Sequence, residues 1–277
     1  MIQVGQSYTL EVVSIVNFGV YLDAKNLGVV LLPSKFVPAD TELSDLVSVF
    51  LYFDSEDRLI ATTQTPKAMV GEFAYLQVSD TNDFGAFLDW GLDKDVLVPF
   101  AEQYRPMEAG RSYIVFLYVN KADGRIVASS KIDRFVEEGV HDFKPRQFVD
   151  LIVANSTDLG YRAIINQSHW GVLYKDEVFQ RLSFGQSIKG YIKRVRSDGK
   201  IDLSLYGGRE TWDKNTKTIE DYLKQRNGFA AVHDKSDPQL ISRIFGMSKK
   251  AFKKTIGGLY KQGVISIEDD GIRLINN

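Results

Sequence analysis

The sequence predicts a mainly β protein in which three tandem five-stranded barrels precede a small helical domain. Three observations support this prediction: an internal repeat at an offset of 66 residues, strand-like alternation inside each repeat, and helical periodicity near the C-terminus. The composition, 44% hydrophobic and 25% charged over 277 residues, is typical of a globular protein. The chain has no cysteine, which excludes disulfides, thiolate metal sites and thiol catalysis.

The repeat aligns residues 4–23 with residues 70–89 without a gap. Both copies begin with Val-Gly, continue to Phe-Gly-x-aromatic, and end with Leu-Asp. The same offset also superimposes the Phe-Leu-Tyr sequences at 50–52 and 116–118. So many identities at one offset indicate two copies of one domain.

Strands in the first copy are predicted near residues 7–14, 19–23, 29–32, 47–53 and 58–63, where apolar and polar residues alternate between turn residues. Five strands in about 65 residues are typical of an OB-type barrel. Closing the sheet would also remove most exposed strand edges. Periodicity alone fits a small sandwich as well.

A third, more divergent copy is predicted to begin near Phe148, with strands at 149–154, 159–166 and 171–178. Residues 184–206 then form two strands joined by a hairpin turn at Asp198-Gly199.

The pattern becomes helical after Gly207-Gly208, with a short helix at 219–225. Asp237 and Pro238 fit the N-cap and first position of a second helix that stops at a glycine. Ser248 caps a third helix, 249–262. Strands at 264–268 and 272–275 complete the order of a winged helix. The predicted domains are 1–65, 66–140, 141–210 and 211–277.

The first two copies resemble the S-one (S1) RNA-binding domain through their initial glycine, their FGVY and FGAF segments, and a closing Arg-Ile type of strand. In the third copy, GVLYKDEV resembles the Gly-Leu-Val-His-Ile-Ser-Glu-Ile segment of that domain, and SDGKIDLSL resembles its final hairpin. Three such domains plus a winged helix carrying SKKAFKKTIGGLYKQGVI resemble the conserved virulence factor B family over essentially the whole chain. The resemblance implies RNA binding, post-transcriptional control of gene expression and no catalytic activity.

Charge divides the chain into two halves. Residues 1–140 contain 11 Lys/Arg and 20 Asp/Glu, a net charge of −9, whereas residues 141–277 contain 23 and 16, a net charge of +7. The basic half is therefore the candidate for binding a polyanion. Chance segregation of surface charge explains the division equally well.

Single-stranded RNA is bound by aromatic side chains that stack on bases and by cations that contact phosphates. The transferable positions in the first two copies are Phe18, Tyr21 and Arg58, and Phe84, Phe87 and Arg125. They are the weaker candidates, because strand aromatics are more often core residues and the local charge repels phosphate. Pro33 and Pro99 also replace the usual histidine of the S1 domain, which favours a spacer or a protein-contact role.

The third copy has the stronger set. Tyr174 takes the histidine position, Tyr161 lies on the neighbouring strand, and alternation places Lys189, Tyr191 and Lys193 opposite Ile188 and Ile192. The predicted RNA-binding residues here are Tyr161, Tyr174, Lys189, Tyr191, Lys193, Arg194, Arg196 and Lys200. The alternative is a solvated basic strand face.

The third helix of the winged domain is predicted to carry one cationic face. Lys249, Lys250, Lys253 and Lys254 have the spacing i, i+1, i+4, i+5, and Phe252, Ile256, Leu259 and Tyr260 are expected to face the core. Lysines in this position would contact phosphates rather than bases, and Arg273 of the wing would add a contact. A solvated lysine face is again the alternative.

No catalytic or metal-binding arrangement is visible, since His141, His169 and His233 have no ligand-like spacing. No cofactor or small-molecule substrate is expected. The N-terminus lacks the regions of a signal peptide and no apolar run would cross a membrane, so a cytoplasmic location is expected. The sequence thus favours a non-catalytic regulator that binds single-stranded RNA. Two alternatives are a winged-helix DNA-binding transcription regulator and an adaptor that binds a protein partner through its acidic half.

Overall fold

The computed structural model describes residues 1–139, 141–178, 180–205 and 208–275. It contains three closed five-stranded barrels followed by a winged helix, which confirms the predicted fold class. The chain forms two compact units, Met1–Val136 and Glu137–Asn277. The predicted domain limits stay predictions, and two residues used for them, Val140 and Gly207, lie outside the described residues.

The first barrel comprises β1 (Ser7–Val16), β2 (Gly19–Asp23), β3 (Val29–Pro33), β4 (Leu46–Phe53) and β5 (Leu59–Thr62). The strand order is β1-β2-β3-β5-β4, closed between β4 and β1, and only the β3–β5 pair is parallel. Alternate residues fill the interior, as Leu10 and Val12 do on β1.

The second barrel repeats this order with β6 (Phe73–Asn82), β7 (Gly85–Asp89), β8 (Val96–Pro99), β9 (Ser112–Val119) and β10 (Ile126–Ser129). Its core is continuous with side chains of the first barrel. Phe50 and Tyr52 belong to the same buried cluster as Trp90, and the Phe50 and Trp90 rings meet edge-on at 5.5 Å. The two barrels therefore form one packed body.

The third barrel consists of β11 (Phe148–Ser156), β12 (Gly160–Ile165), β13 (His169–Tyr174), β14 (Ser187–Val195) and β15 (Ile201–Ser204), again in the same order. The strand predicted at 171–178 ends earlier, because Lys175–Glu177 form a 3-10 turn. Equivalent turns follow β3 and β8 at Ser34–Phe36 and Phe100–Glu102.

The second strand of every barrel begins with a glycine that lies against the backbone of the third strand. A β-carbon added to Gly19, Gly85 or Gly160 would lie 2.1, 2.2 or 2.0 Å from the carbonyl oxygen of Leu32, Val98 or Leu173. The φ angles, +152°, +149° and +151°, are also values that favour glycine. The Phe-Gly of the repeat is thus a packing requirement, and its glycine persists in the divergent third copy.

The winged helix contains α1 (Gly208–Gln225), β16 (Phe229–Ala230), α2 (Pro238–Phe245), α3 (Lys249–Lys261), β17 (Ile265–Ile267) and β18 (Ile272–Leu274). The predicted caps are confirmed: the Asp237 carboxylate accepts from the N–H groups of Gln239 and Leu240, and the Ser248 hydroxyl accepts from the N–H of Ala251. The three strands pair in the order β16-β18-β17.

Three features of this domain differ from the prediction. Helix α1 begins at Gly208 rather than near 219. Its first half was not predicted because it is polar and shows no apolar stripe in the sequence. In the structure Trp212 anchors this half against Gly258. The two-residue strand β16 is too short to show a pattern. The prediction that Tyr260 faces the core is wrong: its side chain is exposed, while Phe252, Ile256 and Leu259 are buried.

Gly160→Ala should strongly destabilise the third barrel, because the new methyl group would overlap the Leu173 carbonyl. We expect the free energy of unfolding to fall by about 3 kcal/mol or more. Gly199→Ala is the control, since that glycine has a φ of +79° but no atom closer than 4.0 Å to an added β-carbon. It should lose only about 1 kcal/mol. Urea unfolding followed by circular dichroism makes the comparison, and equal losses would contradict the packing explanation.

Candidate nucleic-acid interface

The first barrel has an aromatic pair at its surface, and its candidate cation is already ion-paired. Phe18 is exposed and meets Tyr21 edge-on at 6.4 Å. Arg58 pairs with Asp54 at 2.7 Å and with Glu56 at 2.8 Å. Burial would raise the pKa of Asp54, but hydrogen bonds from Arg58 and Glu56 outweigh it and hold that pKa below its usual range. The charge of Arg58 is therefore neutralised inside its own hairpin.

The aromatic residues of the second barrel line a cleft of about 340 Å³ shared with the first barrel, whose lining includes Tyr52, Phe84, Phe87, Trp90, Lys94 and Arg125. The β4–β5 turn of the first barrel binds both cations of this cleft, Lys94 and Arg125. Asp57 forms an ion pair with Arg125, and the Asp54 carbonyl accepts a hydrogen bond from Lys94 Nζ at 2.5 Å. A phosphate would have to displace this acidic turn to reach either cation.

Tyr174 stands at the position that proline occupies in the other barrels. It lies opposite Gly160, just as Pro33 lies opposite Gly19 and Pro99 opposite Gly85. Tyr161 instead pairs with the buried Leu173 and packs against the barrel core. Because neighbouring residues of a strand point to opposite faces, the two tyrosine rings lie on opposite sides of the sheet.

Tyr174 belongs to a hydrogen-bonded group that also contains Arg196 and the buried Asp202. Its hydroxyl donates to Asp202 Oδ1 at 3.2 Å and accepts from Arg196. Arg196 donates to the same carboxylate oxygen from Nε at 2.9 Å and from Nη2 at 2.7 Å. The hydrogen bond to Asp202 raises the pKa of Arg196. Arg196 therefore orients the Tyr174 ring, which stays half-exposed.

The predicted cationic strand is divided by a β-bulge. The register between β14 and β15 shifts at Lys193, so Lys193 and Arg194 are both exposed. Lys193 Nζ lies 5.8 Å from the centre of the Tyr174 ring and pairs with Glu177. Arg194 makes no ion pair with any residue that the structure describes.

A second group of residues lies toward the start of β14. Its Lys189 is four residues before Lys193, which corresponds to about 13 Å along a strand. Lys189 pairs with Asp150, and the Tyr191 ring is 5.2 Å from Phe148 on β11. Phe148 is 48% exposed. The sequence did not single it out, although its register opposite Tyr191 makes the two a cross-strand pair. Lys200, the last basic residue of this hairpin, pairs with Asp198 at 3.2 Å.

The third barrel also carries a stacked pair that sequence analysis missed. Arg162 occupies the repeat position of Tyr21 and Phe87, and its guanidinium lies 4.0 Å from the centre of the Trp170 ring. Stacked arginines are suitable surfaces for unpaired bases. The alignment of the copies at Gly160 was the signal that could have identified this pair.

The lysines of α3 differ in their partners. Lys249 is half-buried and donates to the Lys235 carbonyl at 3.2 Å, and Lys253 pairs with Asp234 at 3.4 Å. Burial would raise the pKa of Asp234, but the hydrogen bond and charge of Lys253 bring it below its usual range. Lys250 and Lys254 are exposed, and neither pairs with a carboxylate in the described part of the chain.

The wing contributes a neutralised cation. Arg273 donates from Nε to Glu268 at 3.1 Å and lies 4.6 Å from the centre of the Phe229 ring. Hydrogen bonds from Arg273 and Ser266 hold the pKa of Glu268 below its usual range, so the pair is ionised near neutral pH.

The described residues form no group of three or more His, Asp or Glu side chains arranged to hold a metal ion. The structure does bring His141 and His169 together, with ring centres 5.6 Å apart, which sequence spacing did not indicate. Within the described ranges, no helix has the length and apolar character of a transmembrane segment.

Comparison with known proteins identifies the domains. The S1 domain profile matches residues 4–64 and 70–131, and the profile of the CvfB-like winged helix domain matches residues 217–274. S1 and winged-helix domains bind nucleic acids, so the matched domains define a multidomain protein of the nucleic-acid-binding class.

Relatives similar to the whole chain narrow the assignment. A protein of Bacillus subtilis called YitL is 30% identical over 280 residues, covering 96% of this chain and 91% of its own. Conserved virulence factor B of Staphylococcus epidermidis is 27% identical over 243 residues, covering 85% and 82%. The chain belongs to the conserved virulence factor B family. A solved multidomain protein with nucleic acid binding domains from Streptococcus pneumoniae covers 98% of both chains at 24% identity, with a TM-score of 0.43.

Asp202→Asn should destabilise the third barrel, because it removes the charge that Arg196 and Tyr174 surround. We expect the melting temperature to fall by about 5 °C or more. Asp198→Asn is a matched control in the same hairpin, where the side chain is half-exposed and its pair with Lys200 contributes little. If thermal denaturation shows no difference between the two variants, Arg196 is not held by Asp202 and its positioning role is wrong.

Proposed function

We propose that this protein is a non-catalytic regulator that binds single-stranded RNA through its third barrel and winged helix, and so acts on gene expression after transcription in the cytoplasm. The observation that carries the proposal is the surface of α3. Its exposed Lys250, Lys254 and Lys261 pair with no carboxylate among the described residues. In winged helices and related domains this helix is the one that approaches nucleic acid.

The distribution of charge supports the same half of the chain. Residues 141–277 carry a net charge of +7, whereas residues 1–140 carry −9. In the acidic half the candidate cations are already paired, Arg58 with Asp54 and Arg125 with Asp57. A polyanion is therefore attracted to the second unit and repelled from the first.

Aromatic surfaces favour a single strand as the ligand. Tyr174, the Phe148–Tyr191 pair and the Arg162–Trp170 stack all lie on the third barrel. Unpaired bases stack on such surfaces, whereas the bases of a duplex are stacked on one another. The S1 character of the barrels favours RNA over DNA.

The candidate cations should contribute unequally. Lys189, Lys193, Arg196, Lys200, Lys253 and Arg273 each have a carboxylate partner that a phosphate would have to replace. No carboxylate among the described residues pairs with Arg194, Lys250 or Lys254. The contacts of these three side chains with phosphates should therefore release the most counterions on binding.

The acidic unit is better suited to a protein partner. Phe100 begins a 3-10 turn of the second barrel and Tyr104 follows that turn, and their side chains are 59% and 80% exposed. Exposed aromatic residues are frequent anchors of protein interfaces. We assign this turn as the candidate contact for a protein, secondary to RNA binding.

Replacing Lys250 and Lys254 together by alanine should flatten the plot of log affinity against log salt by about 1.4, or about 0.7 for each lost phosphate contact. The matched control replaces Lys189 and Lys200, two exposed lysines of the same unit that are already ion-paired. That variant should change the slope by less than half as much. Tyr174→Ala should instead lose about 1–3 kcal/mol of binding free energy with little change in slope, because stacking releases few ions.

Fluorescence anisotropy with a labelled single-stranded RNA at several salt concentrations makes these measurements, with melting curves as the folding control. An unchanged slope and affinity in the Lys250/Lys254 variant would contradict the proposal. Competition by matched single-stranded and duplex DNA tests the ligand class. Tighter binding to the duplex would indicate a DNA-binding regulator, and no salt-sensitive binding to any of the three would leave the protein-contact role.

A further inference from the structure

Helix α3 contains two consecutive glycines in its interior, where each lowers helix stability relative to alanine. Gly258 has a clear packing role. A β-carbon there would lie 1.9 Å from the Trp212 ring, so the close contact between α1 and α3 requires a residue without a side chain.

Gly257 has no such role. A β-carbon added to it would have no heavy atom within 4 Å, and its backbone does not have a positive φ. Alanine would therefore fit without strain and would stabilise the helix. The internal packing of the domain does not explain this glycine.

Gly257 lies at the centre of the surface of α3 that we propose to bind RNA. Residues three and four positions apart are neighbours on a helix. Lys253 and Lys254 thus lie one turn before Gly257, and Tyr260 and Lys261 one turn after it. The Tyr260 side chain is 57% exposed, although the buried Ile256 and Leu259 are close to it in sequence. An aromatic ring and four lysines, counting Lys250, therefore surround a patch of bare helix backbone.

We propose that Gly257 is a contact point at which the sugar–phosphate backbone of a single strand lies directly on α3, while Tyr260 stacks on an adjacent unpaired base. Glycine permits this close approach because no side chain holds the strand away. Lys250 and Lys254 neutralise the flanking phosphates. The absence of acidic residues between Ile244 and Gln262 favours a nucleic acid over a protein as the occupant. This inference rests on the proposed function and names two residues that determine binding.

The test is Gly257→Ala in the full chain, which should change stability and binding in opposite directions. The melting temperature should rise, because alanine favours the helix. Affinity for a single-stranded RNA of about 20 nucleotides, longer than the site of one OB fold, should fall by about tenfold. Tyr260→Ala should weaken binding by a similar factor, and Tyr260→Phe should retain it because the ring remains.

Gly258→Ala serves as the reference for a structural glycine, and its melting temperature should fall. Unchanged RNA affinity in Gly257→Ala would overturn the inference, as would a lower melting temperature, which would give Gly257 a packing role. Loss of affinity in the Lys250/Lys254 variant under the same conditions would show that the proposed function stands without this contact. Loss of affinity in none of the variants would remove both.

Discussion

The contact between the second-strand glycine and the third-strand carbonyl is the constraint on which each barrel depends. An added β-carbon at Gly19, Gly85 or Gly160 would come within 2.0–2.2 Å of that oxygen. The contact joins the two strands at one end of the barrel and fixes which residue stands opposite the glycine. In two barrels this residue is proline and in the third it is Tyr174. The same backbone contact is thus present in one barrel that has a half-exposed tyrosine ring at this position and in two barrels that have a proline there.

The surfaces of the two units differ in whether their cations are ion-paired, more than in how many cations they carry. The first unit contains cations next to its aromatic residues, but Asp54 and Asp57 of one turn engage Arg58, Lys94 and Arg125. In the second unit several cations are also paired, yet Arg194, Lys250 and Lys254 have no carboxylate partner among the residues described. An ion-paired lysine on the surface keeps its position but has less to gain from a phosphate. The net charges of −9 for residues 1–140 and +7 for residues 141–277 therefore understate the contrast between the two halves of the chain.

Much of the fold could be predicted because its determinants are local. The repeat, the Phe-Gly pairs and the caps at Asp237 and Ser248 each depend on a few neighbouring residues. The long α1 could not be predicted, since Trp212 finds its contact at Gly258 far along the chain. The candidate site residues could be named from the sequence by their type, but their partners depend on strand register. The pairing of Lys189 with Asp150, the bulge at Lys193 and the acidic turn over Arg125 exist only once the barrels are closed.

We propose that RNA binds to the second unit and leaves the first two barrels free. Hydrogen–deuterium exchange of the full chain, with and without a saturating single-stranded RNA, tests it most directly because it reports on every strand and helix at once. We expect slower exchange in β13, β14 and α3 and unchanged exchange from β1 to β10. Slower exchange confined to β2, β3, β7 and β8 would contradict this proposal, because RNA would then lie on the aromatic residues of the first two barrels.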